Sequence, residues 1–267
     1  MKKLLFIGAG KMATAIAGGL VRAKLFTPGE LQAYDVSETA AAEFTKATGV
    51  ACAIRDCAAL ARDAERVLLA VKPQTMTAAL AGLSEVLSGK PVITIIAGVP
   101  IARIAELTGS RQVIRVMPNT PALIGKGAAG IAASPETAPE ELALAEKIFG
   151  SVGVVMRVEE RNLDAVTALS GSGPAYVFEF IQALADGGVA AGLSRAAATE
   201  LAVQTVIGSA EMVRATKLHP TVLKDQVTSP GGTTIRALEV LEDRAFAGAV
   251  IQAVRAACLR SEELGRN

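Results

Sequence analysis

Residues 4–13, Leu4-Leu5-Phe6-Ile7-Gly8-Ala9-Gly10-Lys11-Met12-Ala13, decide the fold. The apolar run at Leu4–Gly8 reads as a strand covered on both faces, and a GxGxxA sequence follows at once and opens a helix. Gly8 permits the tight turn, Gly10 lets the backbone approach a pyrophosphate, and the small Ala13 allows close helix–strand packing. The N–H groups at the start of such a helix, with its partial positive charge, suit phosphate oxygens. Dinucleotide binding is the favoured reading. Its rivals are a glycine turn needed only for packing and a site for another nucleotide such as S-adenosylmethionine.

Outward from this stretch, apolar runs recur at Leu31–Asp35, Val67–Val71, Val92–Ile96, Val113–Met117 and Val152–Val158. Several are rich in β-branched residues, as strands of a buried parallel sheet are. Alanine-rich helical patterns separate them near residues 11–23, 38–48, 57–64, 74–88 and 100–108. Strand and helix in strict alternation predict a Rossmann-like, doubly wound α/β domain over residues 1–158. The segment after Ser134 adds a helix whose start carries a Thr137-x-x-Glu140 capping-box pattern.

Residues 159–267 read differently, as an all-helical domain. On Pro174–Ala191 the strongly polar positions, Glu179, Gln182 and Asp186, form one narrow stripe, and Ala196–Ala215 is similar, with Glu200, Gln204 and Glu211. A helix apolar over most of its circumference must be buried on most sides. So small a domain cannot cover that surface itself, and packing against a second copy predicts a homodimer. A tightly packed monomeric bundle is the alternative.

Composition narrows the chemistry. The chain has 267 residues, 51% hydrophobic and 20% charged, with a net charge of +1. Nothing in that balance grips nucleic acid or anionic lipid. One histidine, His219, rules out a histidine-ligated metal cluster, so no metal site is expected. Any Ser-His-Asp or Cys-His scheme would rest on His219 alone, and its place before a helix favours a structural role. Cys52, Cys57 and Cys258 show no CxxC spacing and read as reduced, buried thiols. Lys11 interrupts the apolar N-terminus too early for an export signal, and no run approaches the roughly 20 apolar residues that cross a bilayer. A cytoplasmic protein is expected.

The exits of the strands supply candidate site residues, because ligands of open α/β sheets bind beyond the carboxyl ends of the strands. Asp35 ends the second run and can accept hydrogen bonds from adenosine ribose hydroxyls while repelling a 2′-phosphate. The carboxylate leans towards NAD(H); a solvated loop acid is the alternative. Lys72-Pro73, Ala97-Gly98 and Pro118-Asn119-Thr120-Pro121 punctuate other exits. In the helical half, Ser170-Gly171-Ser172-Gly173-Pro174 and Ser229-Pro230-Gly231-Gly232-Thr233-Thr234 each precede a helix. Each is an anion site or a plain cap, and the second is the better anion candidate because two hydroxyls follow its glycines.

Six blocks together carry a specific resemblance: FIGAGKMA at 6–13, AVKPQ at 70–74, IAGV at 96–99, RVMPNTPALIGKG at 115–127, SGSGPAYVF at 170–178 and HPTVLKDQVTSPGGTTIRALEVLE at 219–242. In order along nearly the whole chain, they resemble the pyrroline-5-carboxylate reductases. That resemblance implies reduction of Δ1-pyrroline-5-carboxylate to L-proline with NADPH or NADH as the cofactor, the last step of proline biosynthesis. It also implies a Rossmann domain followed by a helical dimerisation domain, a homodimer, and in many members a larger ring of dimers. By position, Gly8, Gly10, Lys11, Met12 and Ala13 would hold the pyrophosphate, and Asp35, Val36 and Ser37 would face the adenosine ribose. Ala70, Val71, Lys72 and Pro73, with Ala97, Gly98 and Asn119, would flank the rest of the cofactor. Ser229, Gly231, Gly232 and Thr233 would bind the substrate carboxylate, and Thr234 would hydrogen-bond the ring nitrogen as the catalytic group. The family commonly has Asn at Lys11, and many members carry a neutral or basic residue at Asp35.

Hydride transfer to a cyclic imine needs positioning more than a nucleophile or a metal. Two other readings share part of the pattern. A β-hydroxyacid dehydrogenase favours a catalytic lysine on its first interdomain helix, and Pro174–Ala191 contains none. A non-catalytic dinucleotide sensor would need residues 1–158 but not SPGGTT.

Overall fold

Alternate residues of the first strand, β1 (Leu4–Ile7), feed two different cores. Leu4 and Phe6 join Ile16, Leu20, Phe44 and Ile93 on one face of the sheet, while Leu5 and Ile7 join Val67, Leu69, Val92 and Ile104 on the other. All four β1 side chains are fully buried. At about 1.5–3 kcal/mol for each large apolar side chain buried, this strand is the central plank of the fold. The computed structural model describes residues 3–265.

Around β1 the chain winds α1 (Lys11–Arg22), β2 (Leu31–Tyr34), α2 (Glu38–Thr48), β3 (Cys52–Ala53), α3 (Cys57–Asp63) and β4 (Val67–Leu69). Two short helices, α4 (Met76–Leu80) and α5 (Ser84–Leu87), lead to β5 (Val92–Thr94), α6 (Ile101–Thr108) and β6 (Val113–Met117). Then come β7 (Gly127–Ala133), α7 (Pro139–Gly150), β8 (Gly153–Arg157) and α8 (Leu163–Val166). The sheet order is β3-β2-β1-β4-β5-β6-β7-β8, parallel except for the β6–β7 pair. Phe6 pairs with Ala33 on one side and Leu68 on the other, so the exits of β1, β2 and β4 lie together on one edge.

Three local expectations are corrected. Strand–helix alternation fails after β6, because β7 returns antiparallel through a 3-10 turn at Thr120–Ile124. The β7 sequence, GAAGIAA, has almost no β-branched residues. Its smallness answers to a close neighbour, since a β-carbon at Gly130 would stand 2.8 Å from a Val166 methyl on α8. The two-residue β3 is also unsignalled in the sequence. The helix expected over 74–88 is interrupted at Gly82, whose φ of +75° separates α4 from α5. The capping box at Thr137 does not form: Pro139 opens α7, Ala138 is its cap, and Thr137 Oγ1 bonds instead with Ser134 Oγ.

The chain divides into two compact units. One runs through Ser172 and takes back the residues from Ala257 onward; the other is Gly173–Ala256. The second unit comprises α9 (Gly173–Ala190), α10 (Arg195–Thr216), α11 (Pro220–Gln226), α12 (Thr233–Asp243) and the first half of α13 (Phe246–Gly265). Its buried centre is small: Ala185, Ala198 and Ala202, with Ile181 and Val189 against them. Phe178, Leu184, Leu201, Ile207, Val240 and Ile251 are exposed. Of α9 only Ala185 is buried, so within a single chain this helix is not covered on most sides.

Candidate active site

In the first unit the backbone shapes the candidate site. Gly8, at the end of β1, has a φ of +103°, and a β-carbon there would meet the Ala70 carbonyl carbon and oxygen at 2.7 Å. Only glycine fits, because β4 crosses directly beside the turn. A β-carbon at Gly10 would meet nothing within 4 Å, so the space in front of the α1 N-terminus is open. No side chain caps α1, and the helical bonds begin with Thr14 N–H donating to the Gly10 carbonyl. The preceding N–H groups, those of Lys11, Met12 and Ala13, have no partner within the helix, as a diphosphate site requires.

A cleft of about 670 Å³ begins here. Gly8, Gly10, Asp35, Val36, Ala70, Val71 and Lys72 all line it, so the structure brings these expected residues together. Lys11, Met12, Ala13, Ser37, Pro73, Ala97, Gly98 and Asn119 are not among its lining. Ser37 caps α2 with its side chain. Asn119 is buried with both ends engaged: Nδ2 donates to the Ser170 carbonyl and Oδ1 accepts from Ala128 N–H. Gly98 lies beside the chain's own Leu264 and Gly265.

The cleft also has walls the sequence did not announce. Tyr34, Asp56, Cys57 and Ala58 close one side, and Thr75, Ala78, Ala79, Gly82 and Leu83 another. The rule that ligands gather at strand exits points to residues 56–58, but β3 is too short to be recognised. Burial pushes the Cys57 thiol up to about 11 and raises Tyr34 as well, so both are neutral at physiological pH.

Asp35 does two things at once. Its Oδ2 accepts from Ala9 N–H at 2.8 Å, bracing the glycine turn, and its Oδ1 accepts from Ser37 N–H at 2.9 Å. Each oxygen keeps a further lone pair, and Asp35 remains part of the cleft wall. The residues present therefore fit a dinucleotide: an open glycine cradle, unused helix amides and an acid at the ribose position.

In the second unit, the Ser229–Thr234 turn opens α12. Gly231 has a φ of +66° and Gly232 is the cap, with no side-chain bond to the helix amides. Gly232 N–H donates to the Ser229 carbonyl at 3.1 Å, and a β-carbon at Gly232 would collide with Ser229 Oγ. The first-turn amides thus stand beside the hydroxyls of Ser229, Thr233 and Thr234. The Ser170–Pro174 stretch is different. A π-helical turn spans Thr167–Gly171, Ser170 Oγ donates to the Val166 carbonyl and Ser172 N–H to the Thr167 carbonyl. The Ser172 amide is thus used within the helix. His219 caps α11, its Nδ1 accepting from Thr221 N–H at 3.3 Å.

Comparison with known proteins places these features in a family. Residues 160–264 match the model for pyrroline-5-carboxylate reductase dimerisation, and residues 3–98 match a model described as NADP oxidoreductase, coenzyme F420-dependent. A pyrroline-5-carboxylate reductase of Synechocystis is 47% identical over 97% of this chain and 97% of its own length. The solved pyrroline carboxylate reductase of Plasmodium falciparum, with NADP bound, is 36% identical, covers 99% of this chain and 98% of its own, and superposes with a TM-score of 0.88. A pyrroline-5-carboxylate reductase structure from Coxiella burnetii is 35% identical, covers 100% and 99%, and gives a TM-score of 0.92.

Proposed function

The chain belongs to the pyrroline-5-carboxylate reductase family, and from that premise we propose which of its residues perform the reaction. It is an NAD(P)H-dependent oxidoreductase that reduces Δ1-pyrroline-5-carboxylate to L-proline in proline biosynthesis. The reduced cofactor supplies the hydride. The Gly8–Gly10 turn and the first amides of α1, from Lys11, Met12 and Ala13, hold its diphosphate; Asp35, Val36 and Ser37 face the adenosine ribose. Ala70, Val71, Lys72, Pro73, Ala97, Gly98 and Asn119 flank the remainder. The observation that carries this assignment is the uncapped α1 N-terminus opening onto the cleft.

The α12 N-terminus takes the substrate carboxylate on the amides of Gly232 and Thr233 and the Ser229 hydroxyl. Thr234 Oγ1, one residue further along, hydrogen-bonds the ring nitrogen and supports its protonation. A protonated imine has a more electrophilic carbon, so a hydroxyl suffices where other reductions use histidine. Asp35 leans the enzyme towards NADH, because a carboxylate at the ribose position opposes a 2′-phosphate.

The chain carries the family's dimerisation region and forms a homodimer, with the exposed apolar faces of α9, α10, α12 and α13 as its material. We place it in the cytoplasm, as a dimer or a ring of dimers, without nucleic-acid partners. Among the described residues no helix is long and apolar enough to cross a membrane. A spectrophotometric assay with pyrroline-5-carboxylate and each reduced cofactor tests the assignment: turnover with both and a higher kcat/KM with NADH is expected. A preference for NADPH would remove Asp35 from its assigned role.

A further inference from the structure

The C-terminal end of α13 touches the exit loop of β5, and no part of the reaction described so far uses that contact. The sheet order puts β2 on one side of β1 and β4, then β5, on the other. With the diphosphate at the β1 exit and Asp35 marking the adenosine side at β2, the nicotinamide half extends towards the exits of β4 and β5. Gly98 lies in that β5 loop with a φ of +73°. Its neighbour is Gly265. A β-carbon on Gly98 would stand 3.8–3.9 Å from the backbone of Leu264 and Gly265, and one on Gly265 would stand 3.0 Å from the Gly98 carbonyl oxygen. Two glycines far apart in sequence thus approach backbone to backbone, and a side chain on the second would press on the Gly98 carbonyl.

The approach is fixed from both sides. Ser261, only 7% exposed, donates its hydroxyl to Asp164 Oδ1 at 2.6 Å, which ties the last turns of α13 to α8. Leu163, next to Asp164, shares a core cluster with Val99, the residue after Gly98. The β5 loop is therefore held at its root by the core and at Gly98 by the end of α13.

We propose that Ser261 and Gly265 are positioning residues for the reduction, setting the β5 loop and through it the nicotinamide half of the cofactor. This rests on the assignment of Ala97 and Gly98 to that half. A reaction that depends on placement is sensitive to such a support, since a misplacement of about 1 Å from a distant change can lower the rate by two orders of magnitude.

The test compares NADH with ADP-ribose, which keeps the adenosine and diphosphate but lacks nicotinamide. Dissociation constants for both, with kcat, are measured on full-length Gly265→Val and Ser261→Ala. The expected result is NADH affinity weakened about five-fold and kcat lowered about ten-fold, with ADP-ribose binding unchanged. Ser261→Thr, which keeps the hydroxyl, restores both values. Equal weakening for the two ligands would mean that α13 only supports the fold, and no change in either would mean that the contact is idle; both overturn the proposal. If Gly265→Val does not fold, Ser261→Ala, which removes only a hydroxyl, decides the outcome by the same readings. A wild-type chain that binds neither ligand overturns the cofactor assignment itself, a failure seen before any variant is made.

Discussion

Two helices in different halves of the molecule begin the same way. At α1 the cap is Gly10, with φ −71° and ψ 179°; at α12 it is Gly232, with φ −75° and ψ 178°. Each is preceded within two residues by a glycine of positive φ, Gly8 or Gly231, and neither helix has a side-chain cap. The local geometry is thus one solution used twice, a helix N-terminus that begins at an extended glycine with no side-chain cap bond. The surroundings differ. Gly8 is wedged against the Ala70 carbonyl under a fully buried strand, whereas a β-carbon on Gly231 would meet nothing within 4 Å. The first turn is fixed by a packed sheet, and the second opens a helix none of whose residues is buried. Identical backbone geometry therefore carries different obligations.

Substitutions can break that comparison, and Gly8→Ala does so most. It combines a forbidden backbone region with overpacking, at a combined cost of about 3 kcal/mol, read as a lower midpoint in urea unfolding. A midpoint equal to wild type would show that the turn is not constrained by β4. Next comes Thr234→Ala, which leaves the α12 amides in place and removes the hydroxyl. It should lower kcat about 100-fold, roughly 2.7 kcal/mol, with cofactor affinity intact. An unchanged kcat would return Thr234 to the status of an ordinary helix residue.

Asp35→Ser sharpens the contrast at the first turn. Removing the carboxylate should raise the NADPH/NADH ratio of kcat/KM about ten-fold, or 1.4 kcal/mol. Because Asp35 also accepts from Ala9 N–H, Asp35→Asn is the control that keeps an acceptor there while removing the charge. Equal ratios in all three proteins would show that the acid braces the turn without discriminating between cofactors. The smallest effect belongs to Gly231→Ala. With the same sign of φ as Gly8 but open space around it, it should cost only about 1 kcal/mol in the same urea experiment. If it proved as damaging as Gly8→Ala, the second turn would be as tightly packed as the first.

What was legible follows one physical line. β1, α1 and the glycine turn could be read because strand burial, helix start and turn chemistry all lie within ten consecutive residues. The same holds for α9, α10 and the α12 start. β7 could not, because its string of Gly and Ala answers to Val166 on α8 rather than to any strand preference of its own. The Thr137 pattern misled for a similar reason. Pro139 sets the first turn of α7, and Gln112 Oε1 accepts from the Ala138 amide at its cap.

The sequence by itself determined the alternation of elements through β6, the glycine turn that opens α1 and the ordered motifs that mark the family, since each is read along the backbone. Only the tertiary structure decided that Asp35 braces the Ala9 amide, that Asp56 and Cys57 wall the cleft, that Asn119 is held by backbone at both ends and that Gly265 rests against Gly98. Those pairings join segments distant in sequence. Backbone preferences act between near neighbours, whereas such contacts exist only once strands have paired and helices have packed, so no local pattern encodes them.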